Sequence, residues 1–89
     1  MTDINYIPTP RADIIFQNID GESLILDKSG GVIHQLNATA SFIWQHCDGK
    51  NTIESISNIL IESFSVVEQE AQKDVIATVT NFKELNLFL

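Results

Sequence analysis

Three side chains have the chemistry of soft metal ligands or of a nucleophile and its base: His34, His46 and Cys47, the two histidines and single cysteine of the chain. A zinc site needs about four ligands at recognisable spacing, and none of those spacings is present. His34 falls in a strand-like run, while His46 and Cys47 are neighbours about 100° apart on a helix. Cys47 shares a helical stripe with Ala40, Ile43 and Trp44 at i, i+3, i+4 and i+7, which favours a packed thiol over an activated one. Trp44 reads as a core anchor for the same reason. Gly30-Gly31 joins two strands and has no helix N-terminus to aim at an anion, so it makes no phosphate loop. Asp20, Glu22 and Asp27 lie at turns and strand ends, where a solvated carboxylate is the default. The expectation is no catalytic group, no metal site and no cofactor.

The elements around these residues follow from pattern and turn chemistry. Residues 1–11 are polar, with Pro8 and Pro10, and read as a flexible extended arm preceding a single domain over residues 12–89. "ADIIFQNI" has β-branched, apolar strand character, and Asp20-Gly21 is a hairpin signal. "ESLILDK" puts Leu24 and Leu26 on one face and Ile25 on the other. Ser29-Gly30-Gly31 turns the chain into a third strand, "VIHQL". Asn37 is an N-cap and Gly49 the expected stop of the first helix. Thr52 caps a second helix with Ile53, Ile56, Ile59, Leu60 and Phe64 inward. Ser65 to Glu68 has capping-box spacing for a third helix, whose apolar stripe is Ala71, Val75, Val79 and Phe82. Three strands followed by three helices predict an α+β domain with the helices on one face of a small antiparallel sheet.

Composition excludes several classes of function. The chain has 89 residues, 5 basic and 12 acidic, for a net charge of −7. Nucleic-acid binding needs a basic stripe to displace counterions, and Arg11, Lys28, Lys50, Lys73 and Lys83 are scattered singly. The second helix has no basic residue, which argues against a DNA-binding winged helix. An anionic membrane surface would repel such a chain, and no run approaches the ~20 apolar residues of a membrane helix. With no signal-peptide pattern at the start, the expected setting is cytoplasmic.

What remains is binding. A three-stranded meander has two edges, and "VIHQL" carries neither lysine nor proline to protect its own. The first strand, with Arg11 and Asp13 near its start, is better defended. Strand addition to an open edge is a common way to hold an extended peptide. The same edge would suit a protein–protein adaptor or a homodimer. On the third helix, Ile76 stands among Gln69, Gln72, Thr80 and Lys83, where it can wall a shallow groove.

The segment "SLILD…GGVIHQLNATASFIWQHCDGKNTIESI" resembles the PqqD-like family, the recognition elements that bind leader peptides of ribosomally made, post-translationally modified peptides. Leu36, Asn37, Ala40, Ile43, Trp44, Asp48, Gly49 and Thr52 carry the likeness, with Glu70, Ala71, Asp74 and Val75 further on. Val67 and Glu68 depart from it, because the family usually has Asp and Pro where the third helix starts. The ending, Asn86 to Leu89, is loosely matched and reads as a fraying helix.

The resemblance implies a winged-helix-like fold and a leader peptide added as a strand between the third strand and the third helix. It implies presentation of the precursor to a separate modifying enzyme, often a radical SAM protein, or to a leader peptidase. On this basis the expected peptide-binding residues are Val32, Ile33, His34 and Gln35 through their backbone. Gln69, Gln72, Lys73, Ile76 and Thr80 would read the peptide with their side chains, and Lys73 and Lys83 would attract acidic leader residues.

Overall fold

The computed structural model describes residues 3–89. Strands β1 (Ile14–Ile19), β2 (Glu22–Asp27) and β3 (Val32–Leu36) precede helices α1 (Ala38–Gln45), α2 (Ile53–Phe64) and α3 (Glu68–Glu84). The sheet is antiparallel in the order β1-β2-β3. Asp20 and Gly21 take φ of 52° and 81°, the positive values a two-residue hairpin turn requires. The expected three-strand, three-helix α+β architecture is present.

Strand alternation sorts the sheet into two faces. Ser23, Ile25 and Asp27 are buried toward the helices, while Leu24 and Leu26 face away and are half-buried. The core joins Ile25 to Ile43, Trp44, Ile53, Ile56, Leu60, Ala71, Val75, Val79 and Phe82. A buried hydrogen bond from the Ser23 hydroxyl to that of Ser41 (2.9 Å) ties the sheet to α1.

The helix starts follow the caps at two of three places. The Asn37 side chain accepts from Ala40 N (2.8 Å) and that of Thr52 from Ser55 N (3.1 Å). The expected capping box at Ser65 does not form. Ser65 instead has φ 55° and closes α2, its amide donating to Ile61 O, and α3 starts at an N-cap, Val67, with no side-chain hydrogen bond. A left-handed residue cannot also open the next helix. Phe64, expected inward, is 52% exposed and meets Phe42 edge-on.

Helix α1 also stops before Gly49, at the C-cap His46. The Asp48 carboxylate accepts from the amides of Lys50 and Asn51, which holds its pKa below the usual 3.8 and makes a turn of its own. Gly49 serves that turn with φ 79°, and its amide donates to Pro8 O.

Both chain ends depart from the sequence reading. Met1 and Thr2 of the expected flexible arm lie outside the described residues, but from Ile4 onward the arm is docked. Glu54 N and Ile53 N donate to Ile4 O and Tyr6 O, the first amides of α2 that helix geometry leaves unpaired. Pro8 is buried. Arg11 N donates to Leu87 O, and its guanidinium binds Asp27 (2.6 Å) and Asp13 (3.2 Å). The C-terminus does not fray either. Asn86 adopts φ 61° and Leu87 N reaches back to Phe82 O, a left-handed stop that turns Leu87 and Phe88 into the core. Phe88 stacks on Trp44 with 5.7 Å between ring centres, and Phe82 meets Trp44 edge-on at 5.3 Å. Trp44 is the core anchor its spacing predicted.

Candidate functional site

The thiol and the histidines are not brought together. His46 packs on Phe42 at 4.7 Å, and Cys47 is buried with its thiol donating to Ile43 O. Burial, with the Asp48 charge beside it, pushes the Cys47 pKa up to about 12 from an ordinary 9.0. Among the described residues no group of three or more His, Cys, Asp or Glu can hold a metal ion.

The raised pKa has a testable sign. The neutral thiol stabilises the fold fully below pH 9, and this is lost as pH rises toward 12 because the unfolded chain ionises first. Between those values wild-type stability should fall by about 1.4 kcal/mol per pH unit more than that of Cys47→Ala. Urea titrations at pH 8 and pH 10 measure it, and equal slopes for the two proteins would contradict a buried neutral thiol.

The open chemistry lies at the sheet edge. β3 pairs with β2 on one side and has no strand neighbour on the other among the described residues. Its outward row of backbone N–H and C=O groups is therefore a template for another strand. Val32 is 45% and Ile33 65% exposed, His34 is half-buried and Gln35 exposed. The expected edge is in place.

Beside this edge lies a cleft of about 300 Å³. It is lined by Gln35, Leu36 and Asn37 at the end of β3, Ala40 of α1, and Ala77, Thr78, Asn81 and Phe82 of α3. Buried Phe82 and half-buried Leu36 and Ala40 give an apolar floor, while Gln35, Asn37 and Asn81 are exposed at its rim. The small side chain of Ala77 leaves the α3 wall low. An apolar floor under a few polar groups is the usual make-up of a peptide or small-ligand site.

Of the side chains expected to read a ligand from α3, none lines this cleft. Gln72 and Ile76 lie on the other flank of the helix from Thr78 and Asn81, with the buried Ala71-Val75-Val79 stripe between, whereas Gln69, Lys73 and Thr80 lie toward its outward side, Lys73 one turn before Ala77. Lys83, seven residues beyond Ile76 and on its stripe, marks that flank. Its ammonium sits 4.5 Å over the ring of Tyr6, within the docked arm. Ile76 is half-buried against the core rather than walling a groove beside β3. Leu36, Asn37, Ala40, Ala77, Thr78, Asn81 and Phe82 line the cleft without being among the residues the sequence singled out for peptide binding.

The family model described as "Coenzyme PQQ synthesis protein D (PqqD)" matches residues 22–87. The chain belongs to the PqqD family. The matched span holds β2, β3 and all three helices, and so the whole cleft, whereas the arm and β1 lie before it. Among solved structures, this PqqD-family chain is similar to one described as lasso peptide synthetase B1 complexed with the leader peptide. That similarity has a TM-score of 0.83 and 27% identity, and covers 94% of this chain and 99% of that one. It also shares its fold with TbiB1 in complex with the TbiA(beta) leader peptide, with a TM-score of 0.81 and 20% identity over 90% of this chain and 93% of that one. No curated protein matches the chain significantly.

Proposed function

We propose that the chain is a leader-peptide recognition domain, which holds the leader of a ribosomally made precursor as a fourth strand on β3. The observation that carries this is the open β3 edge running beside the α3 cleft, in a PqqD-family chain similar to a lasso peptide synthetase B1 bound to its leader. Backbone groups of Val32 to Gln35 supply affinity in this reading. Leu36, Ala40, Ala77, Thr78, Asn81 and Phe82 receive the side chains that point into the cleft. Gln72 and Ile76 on the other flank of α3, and Gln69, Lys73 and Thr80 toward its outward side, are left for other contacts. The domain contributes no catalytic group and works in the cytoplasm, delivering the precursor to a separate modifying enzyme or leader peptidase.

Amide shifts of the labelled domain, titrated with a synthetic leader from the precursor gene neighbouring its own, test this. The expected outcome is saturable change at Val32–Asn37 and Ala77–Phe82. Saturable change confined to the Gln72–Ile76 flank would move the site. A spectrum unchanged by every candidate leader would count against peptide capture. Sedimentation over a range of concentrations separates the second use of the exposed Val32–Ile33 edge, pairing of two copies.

A further inference from the structure

The strand register sets an apolar row across the face of the sheet turned away from the helices. Ile15 pairs with Leu26, and Leu26 with Ile33. Ile15 and Leu26 are half-buried, whereas Ile33 is 65% exposed. β1 and β3 are both edge strands, so Ile15 and Ile33 each have one cross-strand neighbour, but only Ile33 is left largely exposed. The next outward row, Gln17–Leu24–Gln35, ends at the edge in a polar side chain, so the apolar end is confined to one register position.

We propose that Ile33 is a specificity-determining residue that reads the bound peptide from this outer face, selecting an apolar side chain directly opposite it. The inference rests on the strand-addition reading above and goes beyond the cleft. A strand added to β3 puts alternate side chains on opposite faces. One set enters the α3 cleft, and the other lies over the outer face, about 4.5–5.5 Å from its partner on β3. An apolar residue there continues the Ile15–Leu26–Ile33 row to a fourth strand and covers the exposed isoleucine. Because a slip of one residue would exchange the two faces, this contact also fixes which peptide side chains reach the cleft. The substrate class is thus an extended peptide read on both faces, with an apolar residue required at one outward position.

A displayed library of random 12-residue peptides, selected on the folded domain and on Ile33→Lys, tests the proposal. Ile33 is exposed, so the variant should keep the wild-type fold, which circular dichroism checks. The wild type should enrich peptides with an apolar residue at one position. Ile33→Lys should convert that position to Asp or Glu and leave the preferences at adjacent, cleft-facing positions unchanged. For a single selected peptide, Ile33→Thr should weaken binding roughly fivefold. Identical peptide preferences for wild type and Ile33→Lys would overturn the role of Ile33 while leaving peptide capture standing. If the wild type enriches no peptide at all, the strand-addition reading falls, and this inference with it.

Discussion

Ala77→Trp should weaken leader-peptide binding by more than about 100-fold, some 2.7 kcal/mol, with little loss of fold stability. Ala77 is exposed in the middle of α3 and its small side chain forms part of the cleft wall. An indole there occupies the volume a peptide side chain would need, without disturbing the buried Val75–Val79 stripe. The intrinsic helix cost of the exchange is below about 0.7 kcal/mol. Titration calorimetry gives the affinity and thermal unfolding the stability. Gln72→Ala, on the other flank of α3, should change affinity by less than about twofold. The opposite pattern, with Gln72 sensitive and Ala77 tolerant, would return the site to the flank that the sequence suggested. That contrast decides which side of one helix meets the peptide.

The edge strand was legible in the sequence because strand, turn and cap signals are local. Asp20-Gly21, the two glycines before Val32 and Asn37 after Leu36 delimit the sheet and launch α1 without reference to anything distant. The buried stripe of α3 was legible too, from its period. Its flanks were not. A stripe of Ala71, Val75, Val79 and Phe82 has a polar margin on each side, and nothing along the helix tells which margin lies beside β3. The arm decides it, by docking at the start of α2 and placing Tyr6 under Lys83. Ile76 drew attention as an isolated apolar residue, whereas the cleft is marked by small and polar ones, Ala77, Thr78 and Asn81. Such residues are what an empty groove needs and what hydrophobic patterning passes over.

The chain ends were misjudged for a related reason. Proline-containing polar segments and a short tail after a helix have the composition of mobile termini, but here each satisfies the other. Leu89 N donates to Thr9 O, Arg11 N donates to Leu87 O, and Pro10 bridges to Phe88. Deleting Leu87–Leu89 should therefore remove most of the stability of the domain. Leu87 and Phe88 are 0% and 6% exposed, and burying side chains of this size contributes about 1.5–3 kcal/mol each. A domain of this length has only about 4–13 kcal/mol in total. The truncated chain should lack a cooperative thermal transition. Should it prove too unstable to handle, Phe88→Ala gives a measurable step: a loss of about 3 kcal/mol, or roughly 12–24 °C in Tm. A frayed tail would instead change stability by less than about 0.5 kcal/mol. Because Phe88 stacks on Trp44 and Trp44 packs on Phe82, the floor of the cleft rests on Phe88. Phe88→Ala should consequently weaken peptide binding even at temperatures where the domain stays folded, although Phe88 lines no part of the site.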